Sequence, residues 1–117
     1  MPERVTSAVV VFITCASRAE AKKIAKSLVA QRLAACGNVI TAPVTSIYRW
    51  KGKIEKANEF LLILKSNRKS FAALEREVRR LHSYDVPEII ALPSAAGSRA
   101  YLSWIAESTR APAKRKN

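Results

Sequence analysis

Two apolar, β-rich runs of about twelve residues each, joined only by Lys51-Gly52, constrain this chain more than any other feature. The first runs from Val39 to Trp50 and is interrupted at Pro43, which an edge strand or a bulge tolerates. The second runs from Lys53 to Lys65 and ends in Phe60-Leu61-Leu62-Ile63-Leu64. So short a connection makes them antiparallel neighbours. Each is roughly twice the usual five or six residues, so the pair should overhang a compact sheet. An overhanging apolar hairpin is an aggregation hazard unless a partner covers it. Self-association is the simplest cure.

The flanking segments complete the pattern. Val5 to Thr14 contains Val9-Val10-Val11-Phe12-Ile13, a continuous run suited to a central strand. Ser17-x-x-Glu20 then forms a capping box, and Ala21, Ile24, Ala25 and Leu28 follow at helical spacing. This helix is expected to continue to about Ala35, with Gly37 breaking it. A second helix, Arg68 to His82, sets Phe71, Leu74, Val78 and Leu81 three and four residues apart. Glu88 to Leu92 reads as a strand closed by Pro93, and Gly97-Ser98 opens a short helix holding Tyr101, Leu102, Trp104 and Ile105. The order βαββαβ, with an extra short C-terminal helix, is the ferredoxin-like α+β arrangement. Its helices cover one sheet face and leave the other for a ligand, nucleic acid or another subunit. The expected domain is residues 1–109, followed by a basic disordered tail, 110–117.

Composition narrows the function. At 117 residues and 49% apolar, the chain can bury a core without metal or disulfide staples. The longest apolar run, Ala8 to Ile13, falls far short of the ~20 residues of a membrane helix. Glu3 and the early helix start argue against a secretory signal, so the expected location is cytoplasmic. Lys and Arg outnumber Asp and Glu by 21 to 9, for a net charge of +12. That balance raises nucleic acid as a partner. The charges are scattered over Arg18–Arg32, Arg76–Arg80 and Arg110–Lys116, however, as on solvated faces. The run 60–64 also offers one aromatic residue where a base-stacking sheet wants several.

Chemistry-bearing residues are few. No Ser-His-Asp order, glycine-rich phosphate loop or metalloprotease helix is present, so nothing asks for an enzyme. Cys15 and Cys36 are the cysteines and His82 the histidine. The topology puts Cys15, His82, Tyr84 and Glu88 at one end of the sheet and Cys36 at the other, some 24 Å of helix away. A disulfide, which needs Cα atoms within ~7 Å, is therefore not expected. Both cysteines can be small buried residues, and His82 can be a helix-end charge. One chain cannot assemble a closed four-ligand zinc site from them. An incomplete soft-metal site remains open, and Cys36 could join His82 only across a subunit boundary.

Three segments together resemble the CutA divalent-cation tolerance family: Gln31-Arg32-Leu33-Ala34-Ala35-Cys36-Gly37-Asn38, Ser46-Ile47-Tyr48-Arg49-Trp50-Lys51-Gly52-Lys53-Ile54-Glu55 and His82-Ser83-Tyr84-Asp85-Val86-Pro87-Glu88-Ile89-Ile90. Tyr101-Leu102-Ser103-Trp104-Ile105 is similar to the family's closing helix, and the likeness spans about Val5 to Ser108. It implies a ferredoxin-like homotrimer that binds copper or another divalent cation without catalysis. By the same resemblance Cys36 and His82 fall on metal-binding positions, and Glu59, Lys65, Tyr84 and Glu88 on polar positions lining the inter-subunit region. Tyr48 and Trp50 are expected at the trimer interface. The chain departs from the family's pattern at Gly37, Ser83 and Asp85, and Cys15 matches no family cysteine. A signalling or scaffold trimer binding a small anion through Arg49, Lys53 and Lys65 is the alternative.

If the positive charge serves solubility alone, binding to duplex or single-stranded nucleic acid will be weak and will vanish at moderate salt. A salt series of binding isotherms checks this, and sequence-selective binding surviving ~200 mM salt contradicts it.

Overall fold

The computed structural model describes residues 6–110. The elements are β1 (Ala8–Cys15), α1 (Arg18–Ala30), β2 (Cys36–Val39), β3 (Val44–Trp50), β4 (Lys53–Asn67), α2 (Phe71–Leu81), β5 (Ile89–Pro93) and α3 (Arg99–Ser108). A single 3-10 turn, Arg68–Ser70, leads into α2. The sheet order is β2-β4-β1-β5, with β3 also on β4, and every pairing is antiparallel. This is the α+β ferredoxin-like arrangement with its additional C-terminal helix.

Alternation along β1 explains the layering. Val9, Val11, Ile13 and Cys15 point to one face and are buried, where they meet Ala21, Ile24, Ala25 and Leu28 of α1 and Leu74 and Val78 of α2. From β4, Leu62 and Leu64 join the same layer. On the opposite face Ile90 and Leu92 of β5 stay exposed. A carboxylate clamps the two helices: Glu77 of α2 accepts from Ser27 Oγ (2.7 Å) and Gln31 Nε2 (2.9 Å) and is paired with Arg80.

β4 spans both parts of the molecule. Its second half pairs with β1 from Cys15–Phe60 to Ala8–Asn67, and its first half pairs only with β3, from Trp50–Lys53 to Val44–Glu59. The hairpin thus projects past the end of β1 by seven paired residues, about 23 Å at ~3.3 Å per residue. Lys51 (φ 49°) and Gly52 (φ 80°) turn it, with positive φ at both central positions as a twisted two-residue hairpin requires.

Two local expectations are corrected. The strand expected over Val39–Trp50 is two strands, β2 and β3, separated at residues 40–43, where Pro43 removes a ladder donor. Helix α1 stops at Ala30, not near Ala35. Its end is a Schellman motif: the Leu33 amide donates to Leu28 O (2.9 Å) and the Arg32 amide to Val29 O (3.1 Å). The left-handed position, usually glycine, is Arg32 at φ 61°. Its guanidinium donates to the carbonyls of Glu107 (3.1 Å), Ser108 (3.4 Å) and Arg110 (3.3 Å) at the end of α3, which offsets the backbone strain. Gly37 lies inside β2 and breaks no helix. The expected tail lies outside the described residues from position 111 onward.

Gly37 permits β2 to lie against α1 and β4, because an added Cβ would sit 3.0 Å from both Ala25 Cβ and Leu64 Cδ2. Gly37→Val is expected to cost about 1–3 kcal/mol by overpacking. Urea denaturation monitored by circular dichroism will read this as a lower midpoint with an unchanged slope.

Candidate functional site

The loop after α2 organises one end of the sheet. His82 ends the helix, its amide donating to Val78 O (2.8 Å), and its buried ring lies against the end of β1. Nε2 is 2.8 Å from Thr14 O and must therefore carry the proton, while Nδ1 accepts from the Tyr84 amide at 3.1 Å. The rings of His82 and Tyr84 lie 4.7 Å apart.

Glu20 fastens this loop to α1. Ser17 Oγ accepts from the Glu20 amide (3.1 Å), as the capping box predicts. The carboxylate spans further: Oε1 accepts from the Ala16 amide (2.9 Å) and Oε2 from the Ser83 amide (2.8 Å). Partial burial works against its charge, but the amides of Ala16 and Ser83 prevail and hold the carboxyl below its ordinary range. Cys15 Sγ, a Glu20 carboxylate oxygen and a His82 ring nitrogen all lie within 4.8 Å of one another. Burial pushes the Cys15 thiol up to about 12, with the charges of Glu20 and Glu59 adding to the effect.

On the other side of the sheet, a cleft of about 620 Å³ opens between the hairpin and the His82–Glu88 loop. Ser46, Tyr48 and Trp50 line one wall, and Tyr84, Asp85 and Glu88 line the other, with Glu59 buried between them. Tyr84 donates its hydroxyl to Glu59 Oε2 at 2.8 Å. Burial raises the Tyr84 hydroxyl, and its bond to Glu59 adds to that. Burial followed by repulsion from Glu59 raises the Glu88 carboxyl. The loop at this end therefore brings together Glu59, Tyr84 and Glu88 with Tyr48 and Trp50.

Lys65 and Cys36 stand elsewhere. They oppose each other across β2 and β4, and Lys65 Nζ donates to Asn38 Oδ1. Lys65 is six residues from Glu59 along β4, about 20 Å. Cys36 Sγ lies 3.7 Å from Tyr101 Oη, whose ring stacks on Trp104. That contact, ahead of burial, raises the Tyr101 hydroxyl. Lys65 pairs with Val10, four residues along β1 from the Thr14 that His82 contacts. Cys36 and His82 are thus separated by about 13 Å along the strand direction alone. One chain does not unite them. Arg49, Lys53 and Lys65 do not converge either, since Lys53 and Lys65 lie twelve residues apart on β4, about 40 Å.

Sequence reasoning missed the contact of Glu20 with Ser83, the approach of Tyr101 to Cys36 and the place of Asp85 in the cleft. Each is a meeting of loop or helix-end residues without a spacing signal. The shared end of Cys15 and His82 was legible from strand direction.

These features define a small ferredoxin-like α+β module whose distinctive parts are a projecting hairpin, an acidic and aromatic cleft beneath it and a thiol–carboxylate–imidazole cluster. The chain belongs to the CutA1 divalent ion tolerance protein family, whose model matches residues 9–108. It is 49% identical over 100 residues to the divalent-cation tolerance protein CutA of Thermus thermophilus, covering 86% of this chain and 96% of that one. The chloroplastic protein CutA of Arabidopsis thaliana is 43% identical over 102 residues, 87% of this chain and 56% of the plant one. This chain thus spans about half the length of that plant relative. Among solved structures, the Thermus thermophilus divalent cation tolerance protein superposes with TM-score 0.85 at 48% identity, covering 88% of this chain and 99% of its own. The periplasmic CutA of Archaeoglobus fulgidus gives TM-score 0.84 at 41% identity, covering 88% of this chain and 99% of its own.

Glu20 gives the end of the sheet its pH sensitivity. Its folded-state pKa is lowered, so its contribution is complete above the unfolded carboxylate pKa of about 4.3 and is lost as pH falls through the folded value. Glu20→Gln is expected to cost about 1–2 kcal/mol near neutrality, discounted for partial exposure, and nothing at pH values below both pKa values. Melting temperatures of both proteins across pH 2–7 will converge at the acid end if this holds.

Proposed function

We propose that the protein is a cytoplasmic homotrimer that binds divalent or soft cations, copper among them, and contributes to cation tolerance without catalysing a reaction. The observation that carries cation binding is the charge of the cleft. Glu59, Asp85 and Glu88 line it and, among the described residues, no basic residue does, in a chain of net charge +12 with nine acidic residues in all. Such segregation favours a cation against the field of the whole molecule. The neighbouring cluster adds softer donors, His82 and Cys15, of the kind that select copper-like or zinc-like ions. Cys36 can join His82 only from another subunit, because within the chain the two are held apart along the sheet.

The trimer reading rests on the hairpin. Ile47 and Ile54 are 70% and 71% exposed on it, and Trp50 is 48% exposed at its turn. Among the described residues β3 pairs with β4 alone, which leaves its other edge open. A neighbour that pairs with or packs on the hairpin removes both liabilities. Tyr48 and Trp50 are the aromatic anchors such an interface would use. Both cysteines are free thiols, which suits the reducing cytoplasm. The anion-binding alternative is weaker because Arg49, Lys53 and Lys65 are spread along the hairpin and sheet.

Light scattering coupled to size exclusion will give about three times 12.9 kDa at micromolar concentration, and a monomeric mass overturns the trimer. Trp50→Ala is expected to weaken assembly by about 2 kcal/mol or more, as hot-spot aromatics do.

A further inference from the structure

We propose that the cleft between the hairpin and the His82–Glu88 loop binds a linear organic cation, an aliphatic diamine or polyamine, one molecule per subunit. The proposal rests on the reading of the cleft as a cation site and deepens it by naming the occupant.

Glu59 is the observation that asks for one. It is 8% exposed, and Oε2 accepts from the Tyr84 hydroxyl. Among the described residues Oε1 has no hydrogen-bond partner, and neither salt bridge involves Glu59. A buried carboxylate without a counter-cation is costly, and this one goes unpaired in a chain with 21 basic residues. Its free oxygen is not sealed off. Among the described residues no side-chain oxygen is both fully buried and unpartnered, and Glu59 lines the cleft. Asp85 and Glu88 add charge of the same sign there.

The lining suits an organic cation better than a bare ion. Among the described residues only Cys15, Glu20 and His82 bring three ligating atoms within 4.8 Å of one another, so the carboxylates of the cleft do not converge on a point. The space, about 620 Å³, falls in the range of about 300–1,000 Å³ that small-molecule sites occupy. Tyr48, Trp50 and Tyr84 supply aromatic surface, which attracts ammonium groups and takes up methylenes. A strongly hydrated inorganic ion has no use for such walls.

The ladder of the hairpin gives the occupant its shape. Residues paired across a ladder share a face, so Tyr48 with Glu55 and Trp50 with Lys53 continue the face of Val44 and Glu59. Glu55 therefore stands beside Tyr48, four residues out from Glu59, about 13 Å along the strand. One carboxylate marks the inner end of an aromatic strip and another its outer end, and Lys53 closes the acidic stretch. A chain with an ammonium group at each end and methylenes between matches that order. Arg49 and Ile54, paired with each other, alternate to the opposite face, where a neighbouring subunit can cover Ile54 without entering the cleft.

Calorimetric titration of spermidine, 1,4-diaminobutane and ethylamine into the intact protein tests the assignment. One site per subunit is expected, with spermidine held more tightly than ethylamine and neutral hexane-1,6-diol giving no signal. Glu59→Gln should weaken spermidine by roughly tenfold or more, the usual effect of removing a buried charge partner. Glu88→Gln, on the rim, should act in the same direction and serves if Glu59→Gln proves unstable. Glu55→Gln should weaken spermidine by about two- to fivefold and leave ethylamine unchanged, because a monoamine does not reach it. Trp50 and Trp104 are the two tryptophans, so in Trp104→Phe the remaining fluorescence reports the cleft and should respond to spermidine. Equal affinity for ethylamine and spermidine, or unchanged affinity in both Glu59→Gln and Glu88→Gln, overturns the proposal. If copper(II) binds and no amine does, as when a neighbour's basic side chain already fills the cleft, the proposal fails while cation binding stands. If neither amines nor copper(II), zinc or manganese bind, both readings fall.

Discussion

The backbone ladder of β4 is the interaction on which the other parts of this protein depend. One continuous strand, Lys53–Asn67, is paired on both sides in its second half and on one side in its first. In the paired half, Leu62 and Leu64 complete the core beneath the helices. In the projecting half, the same alternation carries Ile54 out to solvent and Glu59 into the cleft. The change of environment occurs where β1 ends, at the Cys15–Phe60 pair, and the metal-ligating candidates gather at that boundary. Phe60 there is covered by the Arg18 guanidinium, 5.6 Å from the ring centre. A strand that leaves its sheet creates a ledge. The loop following α2 fills it with His82, Tyr84 and Glu88.

The ledge also explains how a strongly basic protein keeps an acidic cleft. Seven of the 21 basic residues stand on exposed positions of α1 and α2 (Arg18, Lys22, Lys23, Lys26, Arg76, Arg79 and Arg80), where water screens them and each contributes little to stability. Glu59 is buried, and its charge is held by the Tyr84 hydroxyl. Glu88, next to it, is biased toward its protonated form by burial and by that charge. Two carboxyl groups so placed favour an occupant that brings positive charge.

Fold class was legible because it rests on periodicities that the residues state directly: the apolar run 9–13, the helical spacing of Ala21, Ile24, Ala25 and Leu28, and Lys51-Gly52 between two long β-rich runs. Local ends were not. Arg32 adopts the left-handed conformation that sequence reasoning reserves for glycine, because α3 carbonyls seventy-five and more positions later hold its guanidinium. With the real stop concealed, Gly37 was given a breaking role, whereas it answers a steric demand from Ala25 and Leu64. The site was half legible for a similar reason. Strand direction alone put Cys15 and His82 at one end and Cys36 at the other. Only three-dimensional packing shows that a residue read as a helix cap, Glu20, reaches both of them.

The double use of Glu20 sets the character of this end of the sheet. Its carboxylate joins the start of α1 to the loop after His82 through the Ala16 and Ser83 amides. His82 works alongside it, donating from Nε2 to Thr14 O at the end of β1 and accepting at Nδ1 from the Tyr84 amide. Each such hydrogen bond contributes about 1 kcal/mol net. Two side chains therefore tie β1, α1 and the loop after α2 to one another through several small terms, and replacing either side chain loosens all three segments together.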